Sequence, residues 1–345
     1  MDRVRLMGWC STCVPGLQLP AFAAIEGGLF AEHGLEVEFV GCASAPDYSL
    51  RGFTVRPKAV AAGDADFALS GVAYLLAAQT DAHGRLPVRF AAISHQRNPI
   101  SAVVHAASDF TDPEDLQGAR AARWNMPWFT AEYAGAMAYM GLEPPVTVDR
   151  SKDLDLALGR GEIDVIPTWM DMTLHHHTAG SPIRVIPLDI DVYTTGLIAA
   201  DRLPLELVAR MRDAFVAGYQ LQQEQPELGI AAFRRSFPHV SEDHVRANWA
   251  LFEPNAFDGG RPGSMDADRW RRTIEYTAAT HGLSVFAGDR LYRPELVDRR
   301  RRTQPRRAAV AASARRVRGP SNPAHDAGAL PGSPAGGAIR SLRGG

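Results

Sequence analysis

The chain has 345 residues, 46% hydrophobic and 22% charged, with a net charge of −2. These values belong to a globular chain able to bury a sizeable core; no apolar run reaches the roughly 18 residues of a membrane helix, and three cysteines are too few for a disulfide framework or to indicate an oxidising compartment. Residues 299–345 hold 11 arginines against one acid, Asp326, leaving 26 basic and 38 acidic residues elsewhere, so nucleic acid is not an expected partner of the acidic body.

Val4–Trp9 reads as a first strand. "GWCSTCVPGLQLP" follows, with Cys10 and Cys13 spaced C-x-x-C. Pro20 suits a helix start. Phe22, Ile25, Leu29 and Phe30 share one helical face, Gly27-Gly28 interrupts it and Gly34 ends it. Leu35–Val40 alternates as a strand does. "AVAAGDADFALSG" then passes through Gly63 into a buried strand, Ala65–Leu69. "LALGRGEIDVIPTW" repeats that grammar through Gly161 into Ile163–Ile166. Both carry G-x-x-D, with glycine for the left-handed turn and Asp for a local backbone bond. Two similarly built α/β lobes are implied.

Between the copies, Thr111 and Glu114 fit a capping box around Pro113. A strand (Ala119–Trp124) and a helix (Thr130–Met140) follow. Val192–Ala200 reads as a strand, and "LPLELVARMRDAFVAGYQLQQEQP" as a long amphipathic helix. Alternating strands and helices predict mostly parallel sheets. From Arg299 the chain lacks Phe, Trp and Tyr and is expected to be a disordered tail, 298–345.

"LPAFAAIEGGLFAEHGLEVEFV", "AVAAGDADFALSG", "DLQGARAA" and "GRGEIDVIPTW", in this order, resemble the landmarks of the periplasmic binding proteins for sulfonates, nitrate, taurine and thiamine-pyrimidine precursors. "PGSMDADRWRRTIEYTAATHGL" resembles that family's late helix. The resemblance implies an α/β fold of the type II periplasmic-binding-protein class. Its lobes would be 1–95 with 190–297, and 96–189, with crossings in "ISHQRNPISAVVH" and "LDIDVYTTGLIAA" and closure like a hinge. It implies the substrate-binding component of an ABC importer for a small organic anion or heterocycle, with an ABC permease as partner and no cofactor. An upstream leader would make the protein periplasmic or cell-surface. As it stands, the N-terminus lacks the apolar stretch of a secretory signal and reads as cytoplasmic.

In such a fold the strand-to-helix turns face the cleft, where helix N-termini suit an anion. The candidate ligand-binding residues are Trp9, Cys10, Cys13, Ser70, Gly71, Asn125, Trp128, Thr130, Trp169 and Thr194. Arg97 and Arg123 are candidate sources of charge, or solvated surface residues. His175, His176 and His177 are adjacent, point about 100° apart on a helix, and do not have the i, i+4 spacing of a metal site. No metal is expected.

The C-x-x-C is separated from the helix at Pro20 by Val14, Pro15 and Gly16. That argues against a thioredoxin-type dithiol, and the lack of a second such pair argues against zinc. Two readings remain: a turn that lines the pocket, or a catalytic thiol. The second draws on "STCVPGLQLPAFAAIEGGLF", which resembles the opening of the bacterial aryl-sulfinate desulfinases, cytoplasmic enzymes on this fold. Cys13 would be the nucleophile, although two extra residues separate it from "EGGLF". His95 and Arg51 are the candidates for the accompanying His and Arg. The fungal thiamine-pyrimidine synthases share the fold, but Ser70 and Tyr74 stand in the stretch that would carry their cofactor-binding Lys and nearby His.

Overall fold

The structure, a computed structural model, describes residues 1–42, 49–123, 126–150, 152–172, 182–257 and 261–297. Asn125, His175–His177 and the tail from residue 298 lie outside the described residues. In chain order the elements are β1 (Asp2–Gly8), α1 (Leu19–Glu26), α2 (Leu29–Glu32), β2 (Leu35–Cys42), α3 (Val55–Ala62), β3 (Phe67–Gly71), α4 (Val72–Asp81), β4 (Val88–Ile93) and β5 (Ile100–His105). Next come β6 (Arg120–Arg123), α5 (Pro127–Tyr139), β7 (Val146–Asp149), α6 (Leu154–Gly159), β8 (Ile166–Trp169), β9 (Ile183–Pro187) and β10 (Thr195–Ala200). Helices α7 (Leu205–Glu224), α8 (Pro226–Ser236), α9 (Glu242–Phe257) and α10 (Ala267–His281) complete the order. No described helix is long and apolar enough to cross a membrane.

One sheet has the order β2-β1-β3-β10-β4. A second group has the order β8-β5-β9, and β6 pairs with β7. A parallel bridge from Ala121 to Val165 joins β6 to the segment entering β8. The second group therefore reads β7-β6-β8-β5-β9. Its pairings match those of the first sheet in sense: parallel, parallel, antiparallel, antiparallel.

The sheets are thus mixed rather than mostly parallel. The reason lies in the connections. β5 follows β4 after a short link and β10 follows β9, so each enters its sheet from the end opposite to its neighbours. The two links also touch each other, Asn98 N donating to Ile190 O at 3.2 Å.

The repeated G-x-x-D has one structural job in both places. Gly63 and Gly161 take left-handed backbone, with φ of 90° and 66°. The Asp side chains, however, do not bond locally. Asp66 accepts from Arg5 N at 2.9 Å and Asp164 from Arg120 N at 2.8 Å. Each carboxylate satisfies a backbone donor on the neighbouring strand.

The capping box also sits one residue later than Thr111 and Glu114. Asp115 accepts from Asp112 N at 3.1 Å and Thr111 N at 2.8 Å, because Pro113 takes the first helical position and makes Asp112 the cap. Strand starts shift as well: the Ala65 and Ile163 starts move to Phe67 and Ile166, and the Val192 start moves to Thr195.

The core is continuous through the first sheet and its helices. Trp270 is fully buried, with its ring centroid 5.4 Å from that of Phe90 and 4.9 Å from that of Tyr292. Gly196 in β10 lies between β3 and β4, opposite Ser70 and Ile93. A Cβ there would overlap the Ala92 carbonyl oxygen. Gly196→Ala is expected to lower stability by about 1–3 kcal/mol, the usual cost of overpacking, read from urea denaturation.

Candidate functional site

Residues from both sheets' turns meet around one buried aromatic cluster. Trp9 leaves β1, Tyr74 lies in the first turn of α4, Trp128 in the first turn of α5, and Trp169 ends β8. The Trp9 ring centroid is 5.5 Å from Tyr74 and 6.3 Å from Trp169. Trp128 stands edge-on to Tyr74 at 5.8 Å and to Trp169 at 5.2 Å. Phe53 stacks on Tyr74 at 4.9 Å. Arg56, also buried, lies with its guanidinium carbon 4.4 Å from the Trp9 ring centre and donates Nε to Gly8 O.

Tyr74, Trp128 and Trp169 line a cavity of about 10 Å³, the room that one water needs. Tyr193 and Tyr276 complete its aromatic wall, and Gly71, Asn98, Glu132, Thr194 and His281 its remaining face. Four predicted site residues share this cavity: Gly71, Trp128, Trp169 and Thr194. Trp9 packs behind it.

Glu132 is the one acid among the described lining residues. Its Oε1 accepts from Asn98 Nδ2 at 2.8 Å and its Oε2 from Trp169 Nε1 at 2.9 Å. Burial raises its pKa from the ordinary 4.5 to about 7, against the two hydrogen bonds, which pull it down. Burial likewise raises the phenols of Tyr74, Tyr193 and Tyr276 and lowers His281 to about 4. Two polar atoms on the wall, Trp128 Nε1 and Thr194 Oγ1, are buried and have no hydrogen-bond partner, which is an uncommon condition for buried polar groups.

Other expectations meet a different geometry. Thr130 donates its hydroxyl to Ala122 O at 3.0 Å and fastens α5 to β6. Ser70 is fully buried inside β3, opposite Gly196. Arg97 pairs with Asp189 at 2.6 Å, and Arg123 with Asp149 at 2.5 Å on the exposed edge. Neither lines the cavity. At the nearby helix N-termini, Val72 N donates to Thr194 O at 2.7 Å and Pro127 has no N–H.

Cys10 and Cys13 are paired in a disulfide, so Cys13 is not the free thiol that the nucleophile reading needs. The turn folds back on itself, and Val14 N donates to Cys10 O at 3.4 Å. The pair is half-buried outside the cavity wall. Asn248 anchors this turn by accepting from Gly16 N at 2.7 Å, and its Nδ2 donates to Asp171 O. His95 has other partners. Its Nδ1 lies 2.7 Å from Thr195 Oγ1 and its Nε2 3.5 Å from the buried Asp171 carboxylate. Arg51 contacts Asp81 on the surface. Without reductant, Cys10 and Cys13 should resist alkylation, and both should label after reduction, as intact-mass spectrometry would read. Cys10→Ser should cost about 2 kcal/mol, the scale for so short a loop.

Glu132 was not among the sequence-derived candidates, yet a signal was present. It is the single charged residue between Arg123 and Glu143, inside "WFTAEYAGAMAYM". Asn98, Tyr193, Tyr276 and His281 carried no comparable local mark. Among the described residues no group of three His, Cys, Asp or Glu could hold a metal ion.

Comparison with solved structures gives the fold. The chain matches the periplasmic aliphatic sulphonate-binding protein SsuA of Escherichia coli with a TM-score of 0.63 at 12% identity, covering 90% of this chain and 99% of that one. It matches a putative periplasmic sulfonate-binding protein SsuA of Methylobacillus flagellatus KT with a TM-score of 0.61 at 15% identity, covering 86% and 92%. A cysteine-to-serine variant of DszB in complex with biphenyl-2-sulfinic acid matches with a TM-score of 0.53 at 16% identity, covering 86% and 97%. The architecture is the mixed α/β periplasmic-binding-protein fold. No curated protein sequence matches. The model of the family described as NMT1/THI5 like matches residues 18–228, more than half of the chain, and the chain belongs to that family.

Proposed function

We propose that this protein is a solute-binding protein that delivers a small organic molecule to an ABC-type importer. The carrying observation is the cavity between Trp128, Trp169 and Glu132 on one side and Gly71, Tyr74 and Thr194 on the other. A pocket of aromatic walls with a few placed polar groups suits a small solute. The two sides belong to the two sets of strands, so lobes at 1–95 with 190–297 and at 96–189 would open and close it. A cavity of 10 Å³ is far below ligand size, so binding requires these rings to part. The fold shared with SsuA proteins supports this reading. The disulfide supports an oxidising compartment such as the periplasm.

The enzyme reading with Cys13 as nucleophile draws less support. The thiolate is the attacking species, and Cys13 is held in a disulfide outside the cavity wall. A thermal-shift screen of small organic anions, cations and heterocycles tests the binding reading. A ligand at 100 times its Kd should add about 2.7 kcal/mol of stability. No shift from any class in a broad screen, with turnover of a sulfinate substrate instead, would overturn it.

A further inference from the structure

Resting on the solute-binding reading, we infer that the cavity takes a solute with a cationic nitrogen bearing N–H donors on or beside a flat ring, with Glu132 as its counter-ion. The lining contains one acid and, among the described residues, no Lys or Arg. Its aromatic walls are Tyr74, Trp128, Trp169, Tyr193 and Tyr276, and Arg269, itself off the wall, lies over the Tyr193 ring at 5.3 Å. Such walls attract a cation and repel an anion. An anion would meet the Glu132 carboxylate with no opposite charge among these wall residues.

Three further observations point the same way. First, Glu132 keeps unused acceptor capacity: each oxygen accepts one hydrogen bond, and a carboxylate offers about four sites. Second, Asn98 and Trp169 hold the carboxylate from two directions, so it is positioned before a ligand arrives. Third, Trp128 Nε1 and Thr194 Oγ1 are buried without partners on the same wall. They suit an acceptor atom elsewhere on the solute. Arg56 does not reverse this argument. Its guanidinium covers the Trp9 face and its Nε donates to Gly8 O, and it is not on the cavity wall.

Glu132 also makes the site testable by pH. The titratable groups that share its wall are Tyr74 from α4, Tyr193 from the link before β10, and Tyr276 and His281 from α10. Burial keeps the three phenols and the imidazole neutral around neutral pH. His95 lies across Trp169, bonded to Thr195 and facing Asp171.

The test uses the full chain and two probes of the same ring and opposite charge, benzamidine and benzenesulfonate, in isothermal titration calorimetry. Benzamidinium should bind, and benzenesulfonate should not. Because Glu132 titrates near 7, benzamidinium affinity should fall about tenfold from about pH 8 to about pH 6. Glu132→Gln should bind it at least about tenfold more weakly at the higher pH and lose the pH dependence, with circular dichroism confirming the fold. Should that variant fail to fold, the wild-type pH profile decides. Benzenesulfonate binding without benzamidinium binding would overturn the inference while leaving the solute-binding reading intact. Equal benzamidinium affinity at both pH values would overturn the role of Glu132. Absence of binding by every class in the broader screen would overturn both readings.

Discussion

Trp169→Ala is expected to lower stability by about 3–5 kcal/mol, the range for deleting a buried Trp, and to abolish solute binding. The side chain is 3% exposed. Its ring meets Trp9, Trp128, Phe129 and His95, so truncation opens a void among residues from three other segments. It also removes the Nε1 donor to Glu132. Trp169→Phe separates the two effects. It keeps most of the packing and loses the donor, at about 1–3 kcal/mol. Because that bond lowers the Glu132 pKa, the Phe variant should also titrate at higher pH. Urea denaturation reads the first effect and the pH dependence of stability reads the second. A Trp169→Ala protein with native stability would contradict the cluster's role in holding the fold.

Glu132→Gln is expected to change how stability depends on pH. The folded carboxyl has a pKa raised from 4.5 to about 7, so between these values the folded state binds more protons than the unfolded state. Stability therefore falls as pH rises through this window. Relative to pH below 4.5, the loss is complete above about 7 and amounts to roughly 3 kcal/mol for a shift of this size. Glutamine does not titrate, so the variant should lack this slope. It will carry a constant penalty as well, because Asn98 Nδ2 and Trp169 Nε1 both donate to this side chain and an amide has only one accepting atom. The readout is the difference in unfolding free energy between variant and wild type at about pH 5 and about pH 8. An unchanged difference would mean that Glu132 is ionised in the fold throughout.

This cost helps to explain what was readable in advance. A lone acid in an apolar helix is conspicuous in the text, since "WFTAEYAGAMAYM" offers it no charged neighbour. Its meaning still depended on what α10 and the link at Asn98 bring beside it. Tyr276 donates to Glu132 O at 3.1 Å from 144 positions away. Gly135 lets α5 and α10 approach closely, since a Cβ there would strike Thr280. Nothing local to either helix announces that meeting.

The cysteines teach the opposite lesson. The loop before α1 argues against a thioredoxin-type dithiol and leaves a pocket-lining turn or a nucleophilic Cys13. The turn instead brings their Cα atoms to 5.4 Å and pairs them. Loop conformation is set by bonds such as Gly16 to Asn248, 232 residues apart, and no period or motif encodes those.

By itself the sequence determined the alternation of strands and helices, the paired G-x-x-D turns, and the order of landmarks that marks the fold. Those features rest on interactions within a few residues: helical periodicity, left-handed glycines and strand alternation. Only the tertiary structure decided that β5 and β10 run against their neighbours, that Thr130 is a strut, and that Cys10 and Cys13 are joined. It also decided that Glu132 stands on the cavity wall, the one acid among the described lining residues. Each of these follows from contacts between distant segments, where a side chain's role is set by what is packed against it.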